Sequence, residues 1–199
     1  WNPGTEQEIF TMQELIEQFS LDRVSKSGAK FDFEKGKWFN HKYLQIKSIE
    51  ELTDIFQHIL VEKDLFEDSD KVKKIVELVR DRADFVNDLW EQSAYFFEAP
   101  DRYDEKTVKK RWKEDTPNQM LELIEVLKGI DDFSSQTAEA IVKQWIEQKG
   151  YNLGGVMNAL RLSLVGAAKG VHLFDITELI GKDETISRVQ SAVERLSSE

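Results

Sequence analysis

Cysteine is absent from the 199 residues. Disulfides, cysteine-ligated zinc and thiol nucleophiles are therefore excluded, and the composition agrees with a cytoplasmic origin. Proline is scarce at 3 residues and glycine numbers 10, too few for long disordered linkers. No run of about 18 apolar residues occurs, so no segment reads as a membrane-spanning helix. The opening Trp1-Asn2-Pro3-Gly4 has neither the basic flank nor the apolar stretch of a signal peptide. A chain that starts on Trp is expected to be processed or cut from something longer. Positive charge is in deficit, since 27 Lys and Arg against 38 Asp and Glu leave a net charge of −11.

Catalytic signatures are also missing. The Gly154-Gly155 pair is the nearest approach to a phosphate-binding loop, and no dinucleotide fingerprint, Walker loop, zincin motif or nucleophile elbow is present. His41, His58 and His172 lack ligand-like spacing. Paired acids such as Glu50 and Glu51, or Asp131 and Asp132, read as solvated surface in a chain this acidic. Neither catalytic residues nor metal ligands are expected.

What is present is helical periodicity. Thr11-Met-Gln-Glu14 and Ser48-Ile-Glu-Glu51 fit capping boxes, in which hydroxyl and carboxylate each satisfy a free first-turn N–H. Apolar residues then recur at helical spacing: Ile49, Leu52, Ile55, Phe56, Ile59 and Leu60; Val72, Ile75, Val76 and Val79; Phe85, Val86, Leu89, Trp90, Phe96 and Phe97. Thr116-Pro117 suggests a cap before a first-turn proline, followed by Met120, Leu121, Leu123, Ile124 and Leu127. Three more stripes run through Ala138 to Trp145, Val156 to Val165 and Ile186 to Leu196. No six-residue alternation and no hairpin dipeptide points to a strand. The expected fold is all-α, with a seam at Glu98-Ala-Pro-Asp-Arg-Tyr-Asp104.

The charge is uneven. Arg23, Lys26, Lys30, Lys35, Lys37, Lys42 and Lys47 face only Asp32 and Glu34 in their stretch, leaving +5 there and −16 elsewhere. Phe31, Phe33, Trp38, Phe39, His41 and Tyr43 are interleaved with them. Such a mixture suits phosphates and stacked bases. It suits equally a solvated lysine face over an aromatic core.

Residues 31–44, Phe-Asp-Phe-Glu-Lys-Gly-Lys-Trp-Phe-Asn-His-Lys-Tyr-Leu, resemble the FD-x-x-K-x-x-W-x-N-x-x-Y segment that follows the catalytic domain of glutamyl-tRNA synthetases. Trp1-Asn-Pro-Gly4, Glu8-Ile-Phe-Thr11 and Asp22-Arg-Val-Ser25 are similar to the passage before it. Leu153-Gly-Gly-Val156, Leu160-Arg161, Leu164-Val-Gly166, Leu173-Phe174 and Ile180-Gly-Lys-Asp-Glu-Thr185 are similar to the terminal helices. The ordered set resembles the C-terminal anticodon-binding region of the bacterial enzymes, which are class I aminoacyl-tRNA synthetases. The resemblance implies an α-helical cage of two consecutive helical-bundle units. Residues 1–46 would end the connecting, stem-contacting segment, 47–98 would form the first anticodon-binding unit and 99–199 the second. Arg23-Val-Ser-Lys-Ser27 looks like a KMSKS motif but stands too close to Phe31-Asp32 to be the catalytic copy.

The same resemblance implies a partner, a glutamate-specific tRNA, and a missing N-terminal catalytic domain of the same chain that uses ATP and Mg. No cofactor is implied for this segment, nor a DNA or membrane partner. By position, Arg82 matches the arginine that reads the third anticodon base; its planar fork of donors suits a base edge, as a lysine does not. Gly170, Val171 and Leu173 match contacts in the turn between the last helices, where backbone and apolar side chains meet the other bases. Lys35 and Lys42 would approach the RNA backbone. Three positions depart from the family pattern: Val171-His172 replaces a common Pro-Gly, Ala159 a common Pro and Gly36 a common Leu. The competing reading is a helical protein-interaction or scaffold domain, which the net charge of −11 favours because phosphates repel acidic proteins.

Overall fold

The computed structural model describes residues 1–26, 28 and 30–197. Ser27, the last residue of the KMSKS look-alike, lies outside the described residues. Among the described residues there are eleven α-helices and three short 3-10 turns, and no strand. The all-α expectation holds.

Local chemistry starts the helices where the sequence says it should. At α1 (Met12–Gln18) and α3 (Ile49–Glu62) the capping boxes form in full. Ser48 Oγ accepts from Glu51 N at 3.1 Å, and Glu51 Oε2 accepts from Ser48 N at 3.0 Å. Asp32 caps α2 (Phe33–Ile46) and Asp68 caps α4 (Ser69–Val79). Each such cap contributes about 1 kcal/mol.

Packing follows the stripes. Leu52, Phe56 and Leu60 of α3 meet Val72, Ile75, Val76 and Val79 of α4, all but fully enclosed. At roughly 1.5–3 kcal/mol for each fully buried large aliphatic or aromatic side chain, this contact dominates the stability of the region. The stripe from Phe85 to Phe97 does not make one helix. Asp88 Oδ2 accepts from the N–H groups of Asp84 and Phe85, both at 2.9 Å, and starts a fresh turn. The result is short α5 (Asp88–Ser93) followed by a 3-10 turn, Ala94–Phe96, with Phe85 left 40% exposed.

The remaining helices are α6 (Glu105–Arg111), α7 (Thr116–Lys128), α8 (Ser135–Lys149), α9 (Leu153–Val165), α10 (Leu173–Ile180) and α11 (Lys182–Leu196). In this group α7 lies on α11 and α9, α8 on α10, and α6 on α9. Thr116 is the first residue of α7 rather than its cap, which is Asp115. Its hydroxyl instead accepts from Lys113 N at 2.8 Å, tying the end of α6 to the start of α7.

Buried side chains from Leu44 to Val189 form one continuous cluster. Arg188, only 3% exposed, stitches it together. Its Nη1 donates to the carbonyls of Tyr95 at 2.6 Å and Leu164 at 3.1 Å, and its Nε to Glu184 at 2.7 Å. Residues 98–104 cross the C-terminal end of α9, where Asp104 N donates to Gly166 O at 2.8 Å. Gly166 has φ +76°, and a Cβ there would stand 2.5 Å from the Arg102 carbonyl oxygen. Only glycine permits that crossing.

Candidate nucleic-acid interface

Arg82 ends a 3-10 turn, Arg80–Arg82, directly after α4. The first-unit helix expected to carry it has already tightened into this turn. Helix α2 holds the turn in place. Arg80 Nη2 donates to Gln45 O at 2.7 Å, His41 Nδ1 lies 2.8 Å from Ala83 O, and Lys37 Nζ lies 2.9 Å from Asp84. Asn40 Nδ2 donates to the Asp84 carbonyl. The 31–44 signature therefore acts structurally at this point, through Lys37, Asn40 and His41, by fixing the segment that presents Arg82.

From there Arg82 reaches the turn between α9 and α10. Its Nη1 donates to Gly170 O at 2.9 Å. Arg161, on α9, reaches the same turn, its Nη1 donating to Val171 O at 2.8 Å and Lys169 O at 3.2 Å. Three successive carbonyls are thus gripped by two guanidiniums. Tyr95 Oη accepts from Val171 N at 3.2 Å and closes the grip. Gly170 sits at φ +109°, and a Cβ there would come 3.3 Å from both Arg161 and Tyr95. The turn is built rigid, which lowers the ordering cost of binding anything laid on it.

The electrostatics are one-sided. Burial pushes the Arg161 guanidinium below its usual value; the Tyr95 oxygen opposes that shift and the neighbouring Arg82 charge adds to it. Burial also raises the Tyr95 phenol, against the Val171 hydrogen bond and the two arginines. Among the described residues no carboxylate lies within 4.0 Å of the Arg82 or Arg161 guanidinium. Arg82 is exposed. One N–H of its fork is engaged, and the other donors remain for an acceptor such as a base edge.

The turn does not offer its apolar side chains. Val171 and Leu173 are 4% and 5% exposed and belong to the core. Contacts at those two positions in this conformation would be made by backbone. What the turn shows outside is His172, whose ring nitrogens lie 3.5 Å from Glu139 and from Asp175. Lys35 and Lys42 stand apart from this site. They share one helical face of α2, while Lys37, Asn40, His41 and Leu44 point the other way, toward residues 83–84. Lys35 pairs with Glu8 at 2.7 Å and lies over Phe39. Sequence reasoning missed Tyr95 as part of the grip and met Arg161 only within the Leu160-Arg161 match to the terminal helices. Tyr95 lies 76 positions from its partner, so no local pattern announces it.

The frame is all-helical, and within it Arg82 meets the α9–α10 turn. The family model described as anticodon binding domain matches residues 47–193, and the chain belongs to that family. More particularly, it is 56% identical over 196 residues to a glutamate–tRNA ligase of Phocaeicola vulgatus and 54% identical to one of Bacteroides fragilis. Each match covers 98% of this chain and 39% of the relative's length. Among solved structures, a glutamate tRNA ligase from Elizabethkingia meningosepticum, in complex with its amino acid, superposes with a TM-score of 0.91 at 42% identity. A glutamate–tRNA synthetase from Elizabethkingia anophelis gives 0.86 at 41%. Both cover 98% of this chain and under two-fifths of the other. These matches favour the RNA-reading interpretation over the helical scaffold. Among the described residues no helix is long and apolar enough to cross a membrane, and no group of three or more His, Cys, Asp or Glu is placed to hold a metal ion.

Proposed function

We propose that this chain is the tRNA-reading part of a glutamate–tRNA ligase, an enzyme that attaches glutamate to tRNA at the expense of ATP, with Mg, in the cytoplasm. On this reading a catalytic domain outside the present sequence performs the ligation, and these residues hold and inspect the anticodon. Residues 1–46 complete the connecting segment, 47–98 form the first reading unit and 99–199 the second. Arg82 reads the third anticodon base, and the backbone around Gly170, Val171 and Leu173 meets its neighbours. Lys35 and Lys42, on the far face of α2, approach the RNA backbone.

The observation that carries the reading is the 2.9 Å bond from Arg82 Nη1 to Gly170 O. It sets the two expected contact elements side by side, as one looped-out triplet requires. Unstacked bases expose the edges that such donors read. The test is binding of a glutamate tRNA transcript to this chain, beside transcripts altered at each anticodon position. Expected is binding at low salt that weakens with the altered triplet; equal retention of all transcripts would remove the reading.

A further inference from the structure

Much of the positive charge between Arg23 and Lys47 is already matched inside the chain. Lys35 pairs with Glu8 at 2.7 Å, Lys37 with Asp84 at 2.9 Å and Lys47 with Glu51 at 3.9 Å. A second basic stretch is not matched in this way. Residues 102–113 hold Arg102, Lys106, Lys109, Lys110, Arg111 and Lys113 against Asp104 and Glu105, a net +4 in a chain of −11. All four lysines are exposed. Among the described residues neither they nor Arg111 have a carboxylate within 4.0 Å. Arg102 has only its neighbour Asp101, at 3.6 Å, with both side chains almost wholly in solvent. Asp104 is engaged as the cap of α6, accepting from Thr107 N at 2.8 Å and Thr107 Oγ1 at 2.6 Å.

The helix gains little from this charge. On α6, Lys106 stands three and four positions from Lys109 and Lys110, so these like charges stack and repel, with Glu105, four before Lys109, the one acid of the helix to offset them; Lys113, beyond the helix, donates its Nζ to Lys109 O at 2.6 Å. The macrodipole welcomes the bases of the last turn, Lys109, Lys110 and Arg111. It opposes Lys106 in the first turn and does nothing for Arg102, which precedes the helix. An unmatched, self-repelling stripe on an otherwise acidic protein is the electrostatic footprint of a polyanion. Its place agrees. Asp104 N holds Gly166 O at 2.8 Å, and Gly166 ends α9 four residues before Gly170. The stripe begins where the gripped turn leaves α9.

We propose that the exposed face of α6, with Lys106, Lys109 and Lys110, together with Arg102 just before the helix, is a phosphate-binding surface that holds the backbone of the RNA whose anticodon lies on the gripped turn. This rests on the proposed function. Base contacts specify and phosphate contacts position, so the two sites answer different experiments.

The experiment measures affinity of the 199-residue chain for a glutamate tRNA transcript, and for one altered at the third anticodon base, across a series of KCl concentrations. The triple variant Lys106→Gln, Lys109→Gln, Lys110→Gln is compared with Lys71→Gln, Lys73→Gln, Lys128→Gln, which changes net charge equally at ion-paired lysines. Melting by circular dichroism checks that both are folded. Expected for the α6 variant is about tenfold weaker binding of both transcripts alike, with the log–log salt slope shallower by about two. The control should keep a near wild-type slope. A wild-type slope in the α6 variant, or a loss no larger than the control's, overturns the surface. If wild-type protein binds both transcripts equally but with a slope that the α6 variant flattens, the anticodon reading fails and the phosphate surface stands. Wild-type protein that binds neither transcript at low salt overturns both.

Discussion

Arg82 and Gly170 are 88 positions apart in the chain and are joined by a single hydrogen bond, guanidinium to carbonyl, of 2.9 Å. The bond does two jobs. It ties the end of α4 to the α9–α10 turn, and it fixes the plane of the guanidinium so that its unused donors face outward. Replacing Arg82 with Gln keeps a donor but loses the fork and the charge. In the full-length enzyme, Arg82→Gln is expected to reduce discrimination at the third anticodon base by about 1–3 kcal/mol, a factor of roughly five to a hundred and fifty. Aminoacylation of transcripts differing only at that base measures it. Arg82→Lys should fare no better, because a single ammonium cannot reproduce a planar fork. Unaltered discrimination in both variants removes Arg82 from the site.

Gly170 is the other end of that bond and is predicted to resist substitution for a separate reason. Its φ of +109° is strained for any residue with a Cβ, and the added carbon would sit 3.3 Å from Tyr95 and Arg161. Gly170→Ala should destabilise the chain by about 1–3 kcal/mol, readable in urea or thermal unfolding. RNA binding should fall with it, since the three gripped carbonyls would shift. A variant with wild-type melting would show that the turn relaxes at no cost and that the grip is loose.

Much of this was legible in the sequence, and the limit is physical. Capping boxes are local, so Thr11 with Glu14 and Ser48 with Glu51 could be read three residues at a time. Stripes at helical spacing located the buried faces of α3, α4 and α9. Where a side chain chose between backbone and packing, pattern failed: Asp88 caps the Phe85 turn and breaks a stripe that looked continuous. The site was legible only in part. Positional resemblance picked out Arg82 and the 170–173 turn, and the structure brings them together. It did not say that Val171 and Leu173 turn inward, because apolar residues in a turn fit either a core or a contact. Nor did it put Lys35 and Lys42 on the far face of α2; that follows from which face meets residues 83–84. The Lys106 stripe was hidden in a chain-wide sum that acidic residues dominate.

Arg188 provides a stability test independent of RNA. It is 3% exposed, and its donors satisfy the carbonyls of Tyr95 and Leu164. Arg188→Met keeps most of the volume and removes the donors. Each abandoned buried acceptor costs about 1–3 kcal/mol, so a total loss of roughly 2–5 kcal/mol is expected, a large fraction of a typical domain's stability. Because Tyr95 also braces Val171, the variant should loosen the turn before it unfolds the helices. Amide hydrogen exchange checks this, with Val171 N–H expected to lose protection relative to the α3 and α4 amides. Equal loss everywhere would mean that Arg188 supports the core as a whole rather than the grip.

The capping box at Ser48 yields a pH dependence of defined sign. Glu51 is held below the usual glutamate value, first by the hydrogen bond from Ser48 N, then by the Lys47 charge. A carboxyl whose folded value lies below its unfolded value adds stability that is complete above the unfolded value and is lost as pH falls through the folded one. Glu51→Gln has no proton to take up there and still offers an acceptor, though a neutral one. Wild-type protein should therefore melt higher than Glu51→Gln at neutral pH. The gap should hold down to the ordinary glutamate range and narrow below it. Other depressed carboxyls, including Glu50 and Asp104, titrate in both proteins and cancel in the difference. Paired melts across the acid range read the gap directly. A gap that stays constant through that range would show that the carboxylate's charge contributes nothing to the box, and that geometry alone starts α3.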